Sequence, residues 1–71
     1  MIETAKLRGR IVEIYGTLDA FSSAVHNSKS FISQYLNGKR KLNQESIFEW
    51  AAALEISISD IPLYFFTRKV H

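Results

Sequence analysis

Apolar residues recur at helical spacing along the whole of this chain, and no stretch alternates apolar and polar residues as a half-buried strand would. Leu7, Ile11 and Ile14 fall at i, i+4 and i+7 on one face, with Lys6 and Arg10 on another, which predicts a first helix over about residues 3–15. Gly16 follows and can take the left-handed conformation that ends a helix. Thr17 is a good N-cap for a second helix over 18–25, with Asp19 near its positive end and Phe21, Ala24 and Val25 inward. Ser28 can cap a third helix over 29–37, which points Ile32 and Tyr35 inward with Leu36 beside them and closes at Asn37-Gly38. Asn43 caps a fourth over 44–54, with Ile47, Trp50, Ala51 and Leu54 as its apolar stripe. Ser57-Ile58-Ser59-Asp60 has the form of a capping box, with Asp60 in place of the usual Glu. It opens a fifth helix over 59–66 that carries Pro62 in its first turn, the one place proline is tolerated. Thr67 to His71 are expected to fray.

The pattern predicts an all-α fold: one compact bundle of about five short helices, a single domain over residues 1–71. A chain of 71 residues buries only about 60% of its unfolded surface, so a dimer contact or a partner would add useful stability. Cysteine is absent, and His26 and His71 stand far apart without helical ligand spacing, so neither a metal site nor a cofactor is expected. No apolar run approaches the roughly 18 residues that span a bilayer. MIETAKLRGR lacks the apolar segment of a signal peptide, so a cytoplasmic location without a membrane partner is expected. There is no glycine-rich phosphate loop and no supported Ser–His–acid order, and Glu45 and Glu49 form an isolated i, i+4 pair. Catalysis is not expected.

Net charge is only +2, but it is unevenly spread. Residues 1–41 hold seven basic side chains (Lys6, Arg8, Arg10, Lys29, Lys39, Arg40, Lys41) against three acidic ones (Glu3, Glu13, Asp19), a net +4. Residues 42–71 hold two basic (Arg68, Lys69) and four acidic (Glu45, Glu49, Glu55, Asp60), a net −2. A basic half suits a polyanion. The plainer alternative is a solvated surface with chance clustering.

The segment TLDAFSSAVHNSKSFISQYLNG, residues 17–38, reads as two short helices joined by a tight turn, with a basic, serine-rich helix face left outside the core. That is the layout of a helix-turn-helix, and the segment resembles the one in the phage Cro/repressor-like (XRE-type) family. Residues 44–61, ending LEISISDI, are similar to the fourth helix and capped turn of the same family. FISQYLNGKR carries the most specific likeness: a buried Ile, a buried aromatic three later, then Asn-Gly. LRGRIVEIYGT and LYFF are also similar to short Cro-like proteins of phages of Gram-positive hosts. Two positions depart from the pattern. Ser22 stands where the family has a small Ala, and it can bond back to a backbone carbonyl. His26 stands where the family has the turn Gly, and His with Asn27 can adopt the left-handed turn at modest cost.

The resemblance implies a lambda repressor-like DNA-binding domain in a bacterial host cell, reading double-stranded operator DNA as a symmetric homodimer. Carried over position by position, Ser28, Lys29 and Ser30 would meet base edges at the start of the recognition helix, with Ser33 and Gln34 one turn later. Gln can bond bidentately to adenine, Lys can reach guanine, and Ser can meet any base or a phosphate. Asn37, Lys39, Arg40 and Lys41 would grip the backbone at the far end, and Thr17 with the start of the second helix would meet phosphate through free N–H groups. A second reading stays open: an anti-repressor or modulator of repression that binds the phage's main repressor through the same face. Its motives are the modest net charge, a face with few long donors, and Phe31 in the middle of the recognition helix. Phe31 lies about 100° round from Ile32, so it is either packed against the fourth or fifth helix or offered to a thymine methyl or a protein. Phe48, turned partly outward beside Tyr64, Phe65 and Phe66, is either extra core or an interface.

Overall fold

Three of the helices begin where a short polar side chain captures a free N–H of the first turn. Thr17 Oγ1 accepts from the Ala20 N–H at 3.1 Å, Ser28 Oγ from Phe31 at 3.0 Å, and Asn43 Oδ1 from Ser46 at 2.7 Å. Each such cap contributes about 1 kcal/mol. The computed structural model describes residues 4–66. They form α1 (Ala5–Tyr15), α2 (Leu18–Val25), α3 (Lys29–Leu36), α4 (Gln44–Ala53), a 3-10 turn (Ile58–Asp60) and α5 (Ile61–Phe65). Among the described residues there is no strand.

The helix ends are as local as the starts. Gly16 closes α1 at φ 82°. α3 ends in a Schellman motif: Gly38, at φ 77°, donates to the Tyr35 carbonyl at 3.0 Å, and Lys39 donates to that of Gln34 at 2.8 Å. α4 ends the same way without a glycine. Glu55, at φ 56°, donates to Ala52 at 3.2 Å, and Ile56 donates to Ala51 at 2.8 Å. The buried Ile56 side chain is the apolar contact that commonly accompanies this motif.

The core is one cluster built from every helix, with Leu7, Ile11, Phe21, Ile32, Trp50 and Leu54 wholly buried. At its centre the Trp50 indole meets the Phe21 ring at 5.1 Å and the Tyr35 ring at 5.4 Å, both edge to face, the favoured arrangement for aromatic quadrupoles. Burial raises the Tyr35 phenol above its usual value. α1 also serves as a polar strap. Thr4 Oγ1 donates to the Leu36 carbonyl at 2.7 Å, and Arg8 reaches the same carbonyl at 3.2 Å. Arg10 donates to the carbonyls of Leu54 at 2.9 Å and Glu55 at 3.3 Å. The C-terminal ends of α3 and α4 are therefore satisfied by side chains of one helix, which fixes their relative placement.

Several expectations are corrected. The fifth helix is broken into the 3-10 turn and a five-residue α5, with Pro62 in the first turn of the latter. No side-chain capping box forms at Ser57. Its hydroxyl pairs with that of Ser59 at 3.1 Å, while its carbonyl receives the Asp60 N–H at 2.9 Å. Ala24 is exposed, because Phe21 and Val25, one turn apart, define the buried line of this short helix. Ile14 is half-buried, since the Leu7–Ile11 line continues to Tyr15, whose hydroxyl donates to the Ala53 carbonyl at 2.8 Å. The expected start at Glu3 and fraying of Thr67 to His71 lie outside the described residues.

Candidate functional site

α2 and α3 meet at a turn that the local residues specify. His26 takes the left-handed conformation, at φ 59° and ψ 26°. The Ser22 hydroxyl donates to the Asn27 carbonyl, and the Asn27 side chain accepts the Trp50 indole N–H at 3.0 Å. The turn is thus tied to α2 behind it and to the core beneath it. Asn27, read from sequence only as part of the turn, is the residue that sets the angle at which α3 leaves α2 and that anchors it on α4.

The outer side of this unit carries the candidate residues, and most are engaged with one another. Lys29 Nζ lies 3.5 Å from Asp19 Oδ2, joining the first turns of α3 and α2. Gln34 is held at both ends of its amide. Its oxygen accepts from Arg40 Nε at 2.6 Å, and its nitrogen donates to Ser30 Oγ at 3.4 Å. The Arg40 guanidinium also sits over the Phe31 ring, 5.2 Å from its centroid. Asn37 accepts from Arg8 at 2.8 Å and donates to Ser33 Oγ at 3.5 Å. Thr17 and Ser28 are spent as helix caps, with their side chains occupied by backbone N–H groups. Lys39 is exposed, and Lys41 borders an apolar groove of about 410 Å³ with Tyr35, Leu42, Ile47 and Phe65.

Structure therefore gathers Lys29, Ser30, Phe31, Gln34 and Arg40 on one surface and leaves Lys41 at its margin. Phe31 is half-buried and packs against the core, with Arg40 over its ring. The aromatics further along divide: Phe65 is core, Tyr64 is half-buried against it, and Phe48 and Phe66 are exposed at 45% and 54%. Two residues that sequence reasoning did not place in the site belong to its geometry. Arg8 belongs because it holds Asn37, and Asp19 because it faces Lys29. No helix among the described residues is long and apolar enough to cross a membrane.

Fold and face together define a small protein, all-helical over its described residues, with a linked set of polar side chains on the outer side of one helix pair. The chain belongs to the family described as "Protein of unknown function (DUF739)", whose model matches residues 2–68. It is similar to the modulator of repression (MOR) of the temperate bacteriophage TP901-1 from Lactococcus lactis, known from a solution structure. The likeness has a TM-score of 0.80 at 36% identity, covering 99% of this chain and 95% of that one. No curated protein matches the chain.

Proposed function

We propose that this chain is a phage regulator that modulates repression by docking on the phage's repressor protein through the outer side of α2 and α3. We read that unit as a helix-turn-helix of the Cro/repressor type, put to use as a protein-binding face. Its action is binding, without catalysis. The observation that carries the reading is the near full-length likeness to a modulator of repression. The geometry supports it. Gln34 and Lys29, the two side chains best suited to read bases, are already committed to Arg40 and Asp19. Both pairings are exposed, so they weaken a base contact without barring it, while the half-buried Phe31 offers a protein partner an apolar anchor.

Direct operator binding is the second reading. It is favoured by the layout of the two helices and by the exposed Lys39 and Arg40 at the end of α3. One experiment separates them. The purified chain is titrated onto its phage's promoter DNA at two salt concentrations, with and without the repressor, and the repressor mixture is run on a sizing column. The docking reading expects a stable complex with the repressor, altered repressor–DNA binding, and no specific DNA binding by the chain alone. Specific, salt-steep DNA binding by the chain alone, with no repressor complex, overturns it.

A further inference from the structure

We infer that Asp19 determines which class of partner this face accepts: its carboxylate receives a basic side chain of the partner protein and turns away nucleic acid. The inference deepens the docking reading and rests on it.

Asp19 is the second residue of α2, in the first turn, where free N–H groups and the positive end of the helix dipole would otherwise invite a phosphate. Thr17 already fills one of those N–H groups, and Asp19 brings a full negative charge to the same place. A phosphate arriving there would meet a like charge. The carboxylate is also on the recognition surface and not behind it, because its Oδ2 lies 3.5 Å from Lys29 Nζ at the start of α3. The two side chains stay 74% and 60% exposed, so this ion pair adds little to folding. Its consequence is for the surface. Lys29, the cation best placed to meet a base edge, is partly neutralised, and the second carboxylate oxygen is left for an incoming donor. At the other end of the face Arg40 holds Gln34 through Nε, leaving its two terminal nitrogens for an acceptor. The α2 end carries one charge of each sign, Asp19 beside Lys29, and the end beyond α3 is positive with Lys39, Arg40 and Lys41, so the surface suits a protein that carries both signs. It does not match the uniform charge of a DNA backbone. On the repressor, a basic side chain would meet the free Asp19 oxygen and an acceptor would meet the Arg40 terminal nitrogens.

The test compares the wild-type chain with Asp19→Asn, Asp19→Lys and, as a control of equal charge change in the first turn of α4, Glu45→Lys. Affinity for the phage's repressor is measured by calorimetry, binding to random duplex DNA by fluorescence anisotropy at low salt, and folding by thermal melts. We expect Asp19→Asn to weaken the repressor complex by about tenfold and Asp19→Lys by more, with melting temperatures lowered by only a few degrees, as for Glu45→Lys, through the lost negative charge at a helix start. Asp19→Lys should bind random DNA at least about tenfold tighter than wild type, with a steeper salt dependence, and Glu45→Lys should do neither. A wild-type complex indifferent to both Asp19 variants overturns this inference alone. So does Glu45→Lys reproducing their effects, since net charge would then suffice. Absence of any wild-type complex overturns the docking reading and this inference with it.

Discussion

On the side of α2 and α3 that faces the molecule, Phe21, Val25, Ile32 and Tyr35 are buried, and no buried side-chain nitrogen or oxygen among the described residues lacks a partner. On the other side Lys29 pairs with Asp19, and Ser30, Gln34 and Arg40 hold one another, all in reach of solvent. Both sides are ordered, by different physics. Inward, order comes from loss of apolar surface and from rings meeting edge to face, which tolerate no change of volume. Outward, it comes from charge-assisted and amide hydrogen bonds in high dielectric, each weak enough for a partner to exchange. The first side sets the fold, and the second is free to set a partner.

The sharpest way to break that contrast is at Trp50. Trp50→Ala empties the centre of the core and unpairs Asn27, so a loss of about 3–5 kcal/mol is expected, seen as a non-cooperative or absent urea transition. Asn27→Ala tests the seam between the two sides. With the indole N–H left without its acceptor, stability should fall by about 1–3 kcal/mol, and repressor binding should fall with it because α3 is no longer held at its angle. If binding survives that loss intact, the turn does not position the face. Glu55→Gly should raise stability by about 0.5–1 kcal/mol, since glycine takes the left-handed position at the end of α4 without strain, and this should leave binding untouched. Gln34→Ala is the mildest for folding, expected within about 0.5 kcal/mol by urea midpoint, yet it frees Arg40 and should weaken the repressor complex. A stability loss as large as that of Asn27→Ala would show that the outer side is structural after all.

Local chemistry made much of this legible beforehand. Thr17, Ser28 and Asn43 announce helix starts because a short polar side chain before an apolar-periodic run has few other uses. Gly16 and Gly38 announce ends because their conformations suit little else. The left-handed His26 could be argued from the residues that tolerate that region. Glu55 could not, because a helix end closed by a buried Ile56 and by Arg10 from another helix leaves no glycine to read. The fifth helix is shorter than its spacing predicts for a related reason: Ser57 and Asp60 have the right spacing for a capping box, but the chain satisfies Ser57 with Ser59 instead. Ala24 was placed inward because an alanine fits either environment. Within the candidate site, Lys29, Gln34 and Arg40 follow from the family resemblance, whereas the pairing of Lys29 with Asp19 and of Gln34 with Arg40 depends on how the helices and the following loop pack.

The sequence by itself determined the first four helices, the three side-chain caps at Thr17, Ser28 and Asn43 and the buried line Leu7, Ile11, Phe21, Ile32, Trp50, because periodicity and capping act over three or four residues. Only the tertiary structure decided that Arg8 and Arg10 close the ends of α3 and α4, that Asn27 carries the Trp50 N–H, and that Asp19 faces Lys29. Those pairings join residues on different helices. Their geometry exists only once packing has fixed how the helices cross, and no spacing along the chain encodes it.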